Sequence, residues 1–196
     1  MTWRAQSYVP AYFSGKAIPS PNARVVVALD AIENGKRVNL SGATIYWYVD
    51  GVLVQNKPGA QNVTLLATDT PGAVREVRVQ IHNLRETEGL IAKTIRIPVV
   101  SPQAIIEAPF YKGSVASPSF VLRARPFYFN IADPTLLSYA WEVDGKTPTA
   151  LDNPSILTIT LLDPKPGRTL HAALRIQNPR KSEEGATREL TLTFNP

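Results

Sequence analysis

Apolar and polar residues alternate with a period of two along most of this 196-residue chain. Successive side chains of a β-strand point to opposite faces, so the alternation predicts strands with one buried and one solvent-facing side. No segment carries an apolar stripe of helical period and length. The alternating positions of the first half are Val25, Val27, Leu29; Ile45, Trp47, Val49; Val63, Leu65; Val77, Val79, Ile81; and Ile95, Ile97, Val99. Those of the second half are Phe120, Leu122; Phe127, Phe129, Ile131; Tyr139, Trp141, Val143; Leu157, Ile159, Leu161; Leu174, Ile176; and Leu190, Leu192.

The two halves repeat each other. Trp-Tyr-Val-Asp-Gly at 47–51 returns as Trp-Glu-Val-Asp-Gly at 141–145, and Gln-Ile-His-Asn at 80–83 returns as Arg-Ile-Gln-Asn at 175–178. Gly89 similarly corresponds to Gly185. The spacing stays nearly constant, which predicts a tandem repeat with a short proline-flanked junction near residue 100. We therefore expect two domains, residues 1–100 and 101–196, each with about seven short strands.

Each repeat has one tryptophan in phase with its apolar neighbours, which predicts that Trp47 and Trp141 are the central core residues of their domains. An Asp-Gly pair begins three residues after each tryptophan (Asp50-Gly51 and Asp144-Gly145). Such pairs favour the positive φ angles of a tight hairpin. Many short strands with a tryptophan on a central one are typical of an immunoglobulin-like sandwich. The predicted fold class is all-β, with two tandem immunoglobulin-like domains.

The segments Ile45–Gly51 and Tyr139–Gly145 resemble the central strand of PKD-like and other immunoglobulin-like repeats in bacterial and archaeal surface proteins. The stretches at 3–10 and 126–129 are similar to openings of tandem repeats in secreted, cell-surface or pilus-associated proteins of ultrasmall candidate-phyla bacteria. The resemblance implies an extracellular module and brings no catalytic residues with it.

Composition removes several classes of function. The chain has no cysteine, which excludes disulfides, zinc–thiolate sites, iron–sulfur ligation and cysteine nucleophiles. The net charge is +5, but the basic residues are scattered singly, which argues against a nucleic-acid partner. There is no apolar run of membrane-spanning length and no signal-peptide core at Met1–Arg4. We expect a mature extracellular or cell-surface fragment without its signal or anchor, and no direct membrane insertion.

Candidate catalytic and metal-binding residues do not form recognisable groups. The two histidines, His82 and His171, have no serine or aspartate nearby in a nucleophile–base arrangement. The acidic pairs Glu86/Glu88 and Glu183/Glu184 are interpreted as solvated hairpin tips. The remaining acidic candidates stand alone next to turn residues, unlike the clustered ligands that calcium needs: Asp133, Asp144, Asp152 and Asp163. We predict no catalytic site, no metal site and no cofactor.

One set of residues is predicted to form a partner surface. Tyr46 and Tyr48 are out of phase with the core positions around Trp47, so they should point outward. Arg78 and His82, on another predicted strand, are the basic residues expected beside them. Trp3, close to further aromatic residues, either caps the first sandwich or contacts a partner.

The predicted function is that of a non-enzymatic extracellular structural or adhesive module, one segment of a surface or pilus-associated protein. Its expected partner is a protein or surface polymer, with strand-edge self-association through the apolar strand Leu190–Phe194 as a further hypothesis. A carbohydrate-binding module, in which tyrosine or Trp3 rings stack on sugar, is one alternative. A periplasmic chaperone that clamps a partner strand and a virion structural protein are the others.

Overall fold

The computed structural model of the chain describes residues 1–83, 91–108, 110, 113–149 and 151–196. These residues form two compact units. The first unit comprises Met1–Ser7 and Gly15–Ser101, and the second comprises Tyr8–Ser14 and Pro102–Pro196. The division differs from the predicted boundaries in one segment, because Tyr8–Ser14 packs within the second unit. Gly89 and the acidic pair Glu86/Glu88 lie outside the described residues.

The first unit is built from nine described strands. They are β1 (Thr2–Ala5), β2 (Arg24–Ala28), β3 (Ile32–Glu33), β4 (Lys36–Arg37), β5 (Thr44–Val49), β6 (Val52–Pro58), β7 (Asn62–Leu66), β8 (Val74–His82) and β9 (Ile91–Pro98). One sheet has the order β1-β2-β7 and a second has the order β6-β5-β8-β9, with all neighbours antiparallel. The strands β3 and β4 form a separate short hairpin.

The second unit repeats this plan with seven described strands. They are β10 (Gln103–Glu107), β11 (Ser114–Val115), β12 (Ser119–Phe127), β13 (Ser138–Val143), β14 (Ile156–Thr160), β15 (Thr169–Gln177) and β16 (Gly185–Phe194). One sheet is β10-β12-β14 and the other is β11-β16-β15-β13, where β11 runs parallel to β16. The one described helix is a 3₁₀ turn at Pro134–Leu136. The described part of the chain contains no helix with the length and hydropathy of a membrane span.

Each unit has its own core. Trp47 belongs to one cluster of buried apolar residues and Trp141 to a separate one. Both indoles are almost fully buried, at 0% and 2% exposure. Each also satisfies its N–H in the same way: Trp47 Nε1 donates to the carbonyl oxygen of Ala60 at 2.7 Å, and Trp141 Nε1 donates to that of Pro154 at 3.0 Å. Both acceptors lie 13 residues after their tryptophan. A buried indole thus finds its hydrogen-bond partner on the segment that returns from the next hairpin.

The Asp-Gly turns have the positive φ values that the sequence predicts. Asp50 and Gly51 have φ of +49° and +83°, and Asp144 and Gly145 have +47° and +76°. The aspartates do more than permit the turn. Asp50 Oδ1 accepts a hydrogen bond from the backbone N–H of Glu76 at 2.9 Å, and Asp144 Oδ1 accepts one from that of His171 at 2.8 Å. Each carboxylate therefore fastens its hairpin to the neighbouring strand.

Two strand predictions need correction. The alternation at Phe127, Phe129 and Ile131 predicts a continuous strand, but β12 ends at Phe127 because Tyr128 adopts a φ of +63°, outside the β region. Conversely, β6 has no alternating pattern, since six of its seven residues are exposed and only Gln55 is half-buried. It forms because the Asp50-Gly51 hairpin returns the chain alongside β5. The predicted all-β class with immunoglobulin-like sandwiches is confirmed.

A candidate partner-binding face on the first unit

Tyr46 and Tyr48 lie on the outward side of β5. Their neighbours in the strand, Ile45, Trp47 and Val49, are buried, while both tyrosines are half-exposed. The period of two along a strand explains the division, because inward and outward positions must alternate. This places the two phenol rings on the solvent side of the four-stranded sheet.

The strand register brings Arg78 and His82 to the same surface. In the β5–β8 ladder Tyr48 lies opposite Arg78, and His82 lies opposite Thr44, next to Tyr46. The guanidinium carbon of Arg78 is 4.6 Å from the ring centroid of Tyr48. The rings of Tyr46 and His82 meet edge-to-face, with centroids 4.7 Å apart and planes at 65°. The four side chains predicted from the sequence therefore form two contacting pairs, which we call the aromatic–basic face.

Two further strands extend this face sideways. On β6, Leu53 lies opposite Tyr48 and Asn56 opposite Tyr46. On β9, Thr94 lies opposite Arg78. Period-two alternation does not predict the β6 residues, because β6 exposes both of its sides. The signal that could have found them is the Asp50-Gly51 turn, which implies a strand paired to β5 immediately afterwards.

Charge on the face is unevenly distributed. The exposed side chains of Glu76 and Arg96 pair across β8 and β9 at 3.8 Å. The Arg78 guanidinium lies over the Tyr48 ring. A cation over an exposed ring is stabilised by about 0.5–1 kcal/mol. The centre of the face is thus aromatic and cationic.

Trp3 lies elsewhere in the first unit. It is on β1, in the other sheet, opposite the buried Val27, and packs partly against the core. The ammonium nitrogen of Lys16 is 3.4 Å from the centroid of its ring. Burial of that ammonium lowers the pKa of Lys16. The structure does not bring Trp3 together with the tyrosine pairs.

The same sheet position in the second unit is chemically different. There β13 and β15 pair in the corresponding register, with Ala140 opposite Arg175 and Glu142 opposite Ala173. Ser138 lies opposite Gln177. None of these side chains is aromatic, so the second unit presents the same backbone surface without the aromatic–basic chemistry.

The described residues offer little for catalysis or metal binding. Among them, no group of three or more histidine, cysteine, aspartate or glutamate side chains could hold a metal ion. His82 contacts a tyrosine ring, and His171 Nδ1 lies 3.1 Å from Thr191 Oγ1, while Asp144 is engaged with the backbone of His171 rather than its ring. The described contacts of the two histidines therefore contain no nucleophile–base–carboxylate relay.

Glu184 corrects one interpretation from the sequence. It was expected at a solvated hairpin tip, but it is buried, at 5% exposure. Its carboxylate accepts a hydrogen bond from the backbone N–H of Asn130 and another, of 2.7 Å, from the side-chain amide of Asn178. Glu183 beside it is exposed. The hairpin closes over Glu184 because these two donors compensate the burial of its polar oxygens.

A cleft of about 410 Å³ in the first unit lies apart from the aromatic–basic face. Its lining is mostly apolar and includes Leu29, Val38, Val79 and Ile91. The side chains of Val79 and Ile81 are buried core positions of β8. The cleft is thus an opening toward the core and contains none of the predicted site residues.

No family model matches this chain. No curated protein matches it either. Solved structures that match the chain include fibronectin(III)-like modules of Clostridium thermocellum CbhA, at 10% identity, 96% coverage of this chain, 93% of that chain and a TM-score of 0.32. The ectodomain of mouse nectin-like molecule 4 is 13% identical, with 99% and 63% coverage and a TM-score of 0.38. The chicken interferon gamma receptor alpha chain is 11% identical, with 93% and 97% coverage and a TM-score of 0.38. Similarity at this level does not identify what the chain binds.

Proposed function

We propose that this chain is a non-enzymatic binding module of an extracellular or cell-surface protein, and that the aromatic–basic face is the surface it presents to a partner. The observation that supports the proposal is the contrast between two equivalent sheet faces. The first unit places Tyr46, Tyr48, Arg78 and His82 together. At the same register the second unit has small, polar and charged residues, among them Arg175, and no aromatic residue. The core does not require the tyrosines, since they point away from it.

The chemistry of the face fits a macromolecular partner. Tyrosine and arginine are enriched where proteins bind one another, because they combine a large contact area with directed polar groups. Arg78 already lies over the Tyr48 ring and His82 against the Tyr46 ring. We infer a protein or an acidic surface polymer, with Arg78 supplying the charge contact. A setting on a bacterial surface or pilus remains a prediction of the sequence resemblance.

Binding to a panel of surface polymers and surface proteins tests the proposal. Wild-type chain is compared with Tyr46→Ala/Tyr48→Ala and with the matched control Glu142→Ala, which changes the corresponding position of the second unit. The tyrosine variant is expected to bind about tenfold or more weakly, equivalent to about 1.4 kcal/mol, and the control to bind as the wild type does. Equal binding by wild type and the tyrosine variant would contradict the proposal.

A carbohydrate-binding module is the second candidate. Tyr46 and Tyr48 stand two residues apart on one side of a strand, about 7 Å from each other along the sheet, which provides two rings on a flat surface. Salt separates the two candidates. Binding of an acidic partner through Arg78 should weaken as ionic strength rises, whereas stacking on a neutral sugar should be nearly unaffected. A salt titration on any glycan that the chain binds therefore decides between them.

We expect a partner strand to pair with the edge of β6 rather than with the predicted strand Leu190–Phe194. Leu192 and Phe194 are buried, and the end of β16 is paired with β11. β6 is the last strand of its sheet and exposes Val52, Leu53 and Val54 by 65%, 44% and 50%. The first five residues of β6 carry no charge, which favours pairing with another strand there, whereas Lys57 and Pro58 oppose pairing at the end of the strand. If sedimentation at rising concentration shows self-association, Leu53→Lys should weaken it; unchanged association would place the contact elsewhere.

A further inference from the structure

The segment Tyr8–Ser14 is bound to the second unit as a peptide would be. Both the N–H and the carbonyl of Tyr8 form backbone hydrogen bonds with this unit. The Tyr8 N–H donates to the carbonyl oxygen of Phe129 at 2.8 Å, and the Tyr128 N–H donates to the carbonyl oxygen of Tyr8 at 2.7 Å. Such reciprocal main-chain pairing is the basis of strand addition to a sheet edge. The pairing is independent of side-chain identity and sets the register of the segment.

Side chains then provide the specificity. The Phe13 ring packs edge-to-face on Phe127, with centroids 5.3 Å apart. The guanidinium of Arg125 lies 5.4 Å from the ring centroid of Tyr12. Pro10 is buried. Tyr8 lines a cleft of about 200 Å³ together with Arg125 and other residues of the unit, and burial raises the pKa of its hydroxyl. One backbone anchor, one buried proline and two aromatic contacts amount to a small receptor site for this segment.

The receiving residue is held in an unusual conformation. Tyr128 has a φ of +63°, a left-handed backbone geometry that a bulky side chain adopts only at a cost of about 1–3 kcal/mol. At this residue β12 has ended, and the N–H of Tyr128 donates to Tyr8. The left-handed backbone at Tyr128 thus accompanies the hydrogen bond that this residue donates to the segment.

We infer that Tyr8–Ser14 is an exchangeable docking segment, and that its site on the second unit can be filled by the same segment of a second copy of this chain. Every contact described above is made by residues within the segment, so an identical segment from another molecule satisfies all of them. Exchange of an identical element between copies is a low-cost route to a dimer, because no new interface has to be created.

The residue before the segment supports exchange. Ser7 is 8% exposed, and its hydroxyl is a buried polar atom without a hydrogen-bond partner among the described residues. A buried hydroxyl without a hydrogen-bond partner is destabilising. An exchanged form in which the backbone at Ser7 changes conformation can return this hydroxyl to water, which favours exchange.

Cysteine trapping tests the exchange directly, since the chain has no cysteine of its own. One full-length chain carries Tyr12→Cys and a second carries Arg125→Cys. Arg125 is half-buried and paired with Glu107, so each variant is first shown to unfold at a denaturant concentration close to that of the wild type. The two are mixed, incubated at high concentration and treated with a flexible bis-maleimide cross-linker, because the side chains of Tyr12 and Arg125 meet at their tips, and heterodimers are identified by mass. The matched control replaces the second chain by one carrying Leu162→Cys, at an 87%-exposed residue that the segment does not contact.

Exchange predicts that the Tyr12→Cys and Arg125→Cys chains give about tenfold or more cross-linked heterodimer than the control mixture, because docking holds the two thiols together and raises their effective concentration. Heterodimer at the control level would overturn the inference. A single chain with both substitutions checks the docked geometry separately. It should form an intramolecular cross-link at low concentration and, once cross-linked, should no longer exchange. Absence of this intramolecular cross-link would overturn the docking itself.

Discussion

The strand β5 of the first unit and the strand β13 of the second are alike on one side and different on the other. Their inward sides both carry a buried tryptophan whose N–H donates to a carbonyl 13 residues later. Their outward sides carry Tyr46 and Tyr48 in one case and Ala140 and Glu142 in the other. Folding requirements explain the first similarity. The cores do not require the difference between the outward sides, and the proposed function rests on it.

The strands that flank these two differ as well. In the first unit β6 covers the outer edge of β5. In the second, only a single bridge between Val143 and Lys146 follows the corresponding turn, and β13 is the last described strand of its sheet. Pro148 lies in the segment that corresponds to β6, and proline lacks the N–H that a ladder needs. Both sheets have four described strands, but the additional strand lies beside β5 in the first unit and is β11, beside β16, in the second.

Removing either tryptophan should have the largest effect on stability. Trp47→Ala and Trp141→Ala each leave a cavity and an unpaired carbonyl, and we expect each to lower the free energy of unfolding of its own unit by about 3–5 kcal/mol. Hydrogen exchange resolved by peptide measures the two units separately in one sample. The Trp→Phe variants, which keep most of the volume, should lose less. Equal loss of protection in both units from one substitution would show that the cores are not separate.

Removing the Glu184 carboxylate should have the next largest effect on stability, and this effect should be confined to the second unit. Glu184→Ala leaves the N–H of Asn130 and the amide of Asn178 without their acceptor, and we expect a loss of about 2–3 kcal/mol. The neighbouring exposed residue supplies the control, Glu183→Ala, whose effect should be within about 0.5 kcal/mol. Denaturant unfolding measures both. Similar effects for the two variants would show that Glu184 is solvated, as the sequence predicts.

The turn aspartates test the similarity of the two units. Asp50→Ala and Asp144→Ala each remove a carboxylate that accepts from the backbone of the next strand and place alanine at positive φ. We expect each to lose about 1–2 kcal/mol. Asparagine at either position keeps the acceptor and tolerates the turn conformation, so it should lose much less. A loss in one unit and none in the other would show that the two turns are not equivalent.

Tyr139 gives the second unit a sensitivity to alkali that the first should lack. Its hydroxyl donates to the carbonyl oxygen of Pro134 at 2.8 Å, and burial raises its pKa from 10.0 to about 12. Folding favours the neutral form of Tyr139. Its contribution to the free energy of unfolding is therefore complete below pH 10 and is lost as the pH rises from about 10 to about 12. Tyr139→Phe should lose about 1 kcal/mol at neutral pH and flatten that part of the profile. The corresponding residue of the first unit is Ile45, which does not titrate.

Period-two alternation and the repeated Trp-x-Val-Asp-Gly motif are enough to predict which strand side chains are buried in the two cores. Burial of one strand face in the core requires an apolar residue at every second position, as at Val77, Val79 and Ile81. The outward positions of Tyr46 and Tyr48 follow from the same rule. The sequence did not reveal β6, whose residues face solvent on both sides, or the docking of Tyr8–Ser14, which depends on a contact 120 residues away and on the backbone of Tyr128. Long-range pairing of this kind leaves no local pattern.

The central claim is that binding uses the aromatic–basic face and not its counterpart in the second unit. A hydrogen-exchange footprint of the chain with a polymer or protein from the binding panel tests this most directly. Bound partner should slow exchange at backbone amides of residues 44–48 and 78–82 and leave those of 138–142 and 173–177 unchanged. Protection of the second set, with none in the first, would contradict the account.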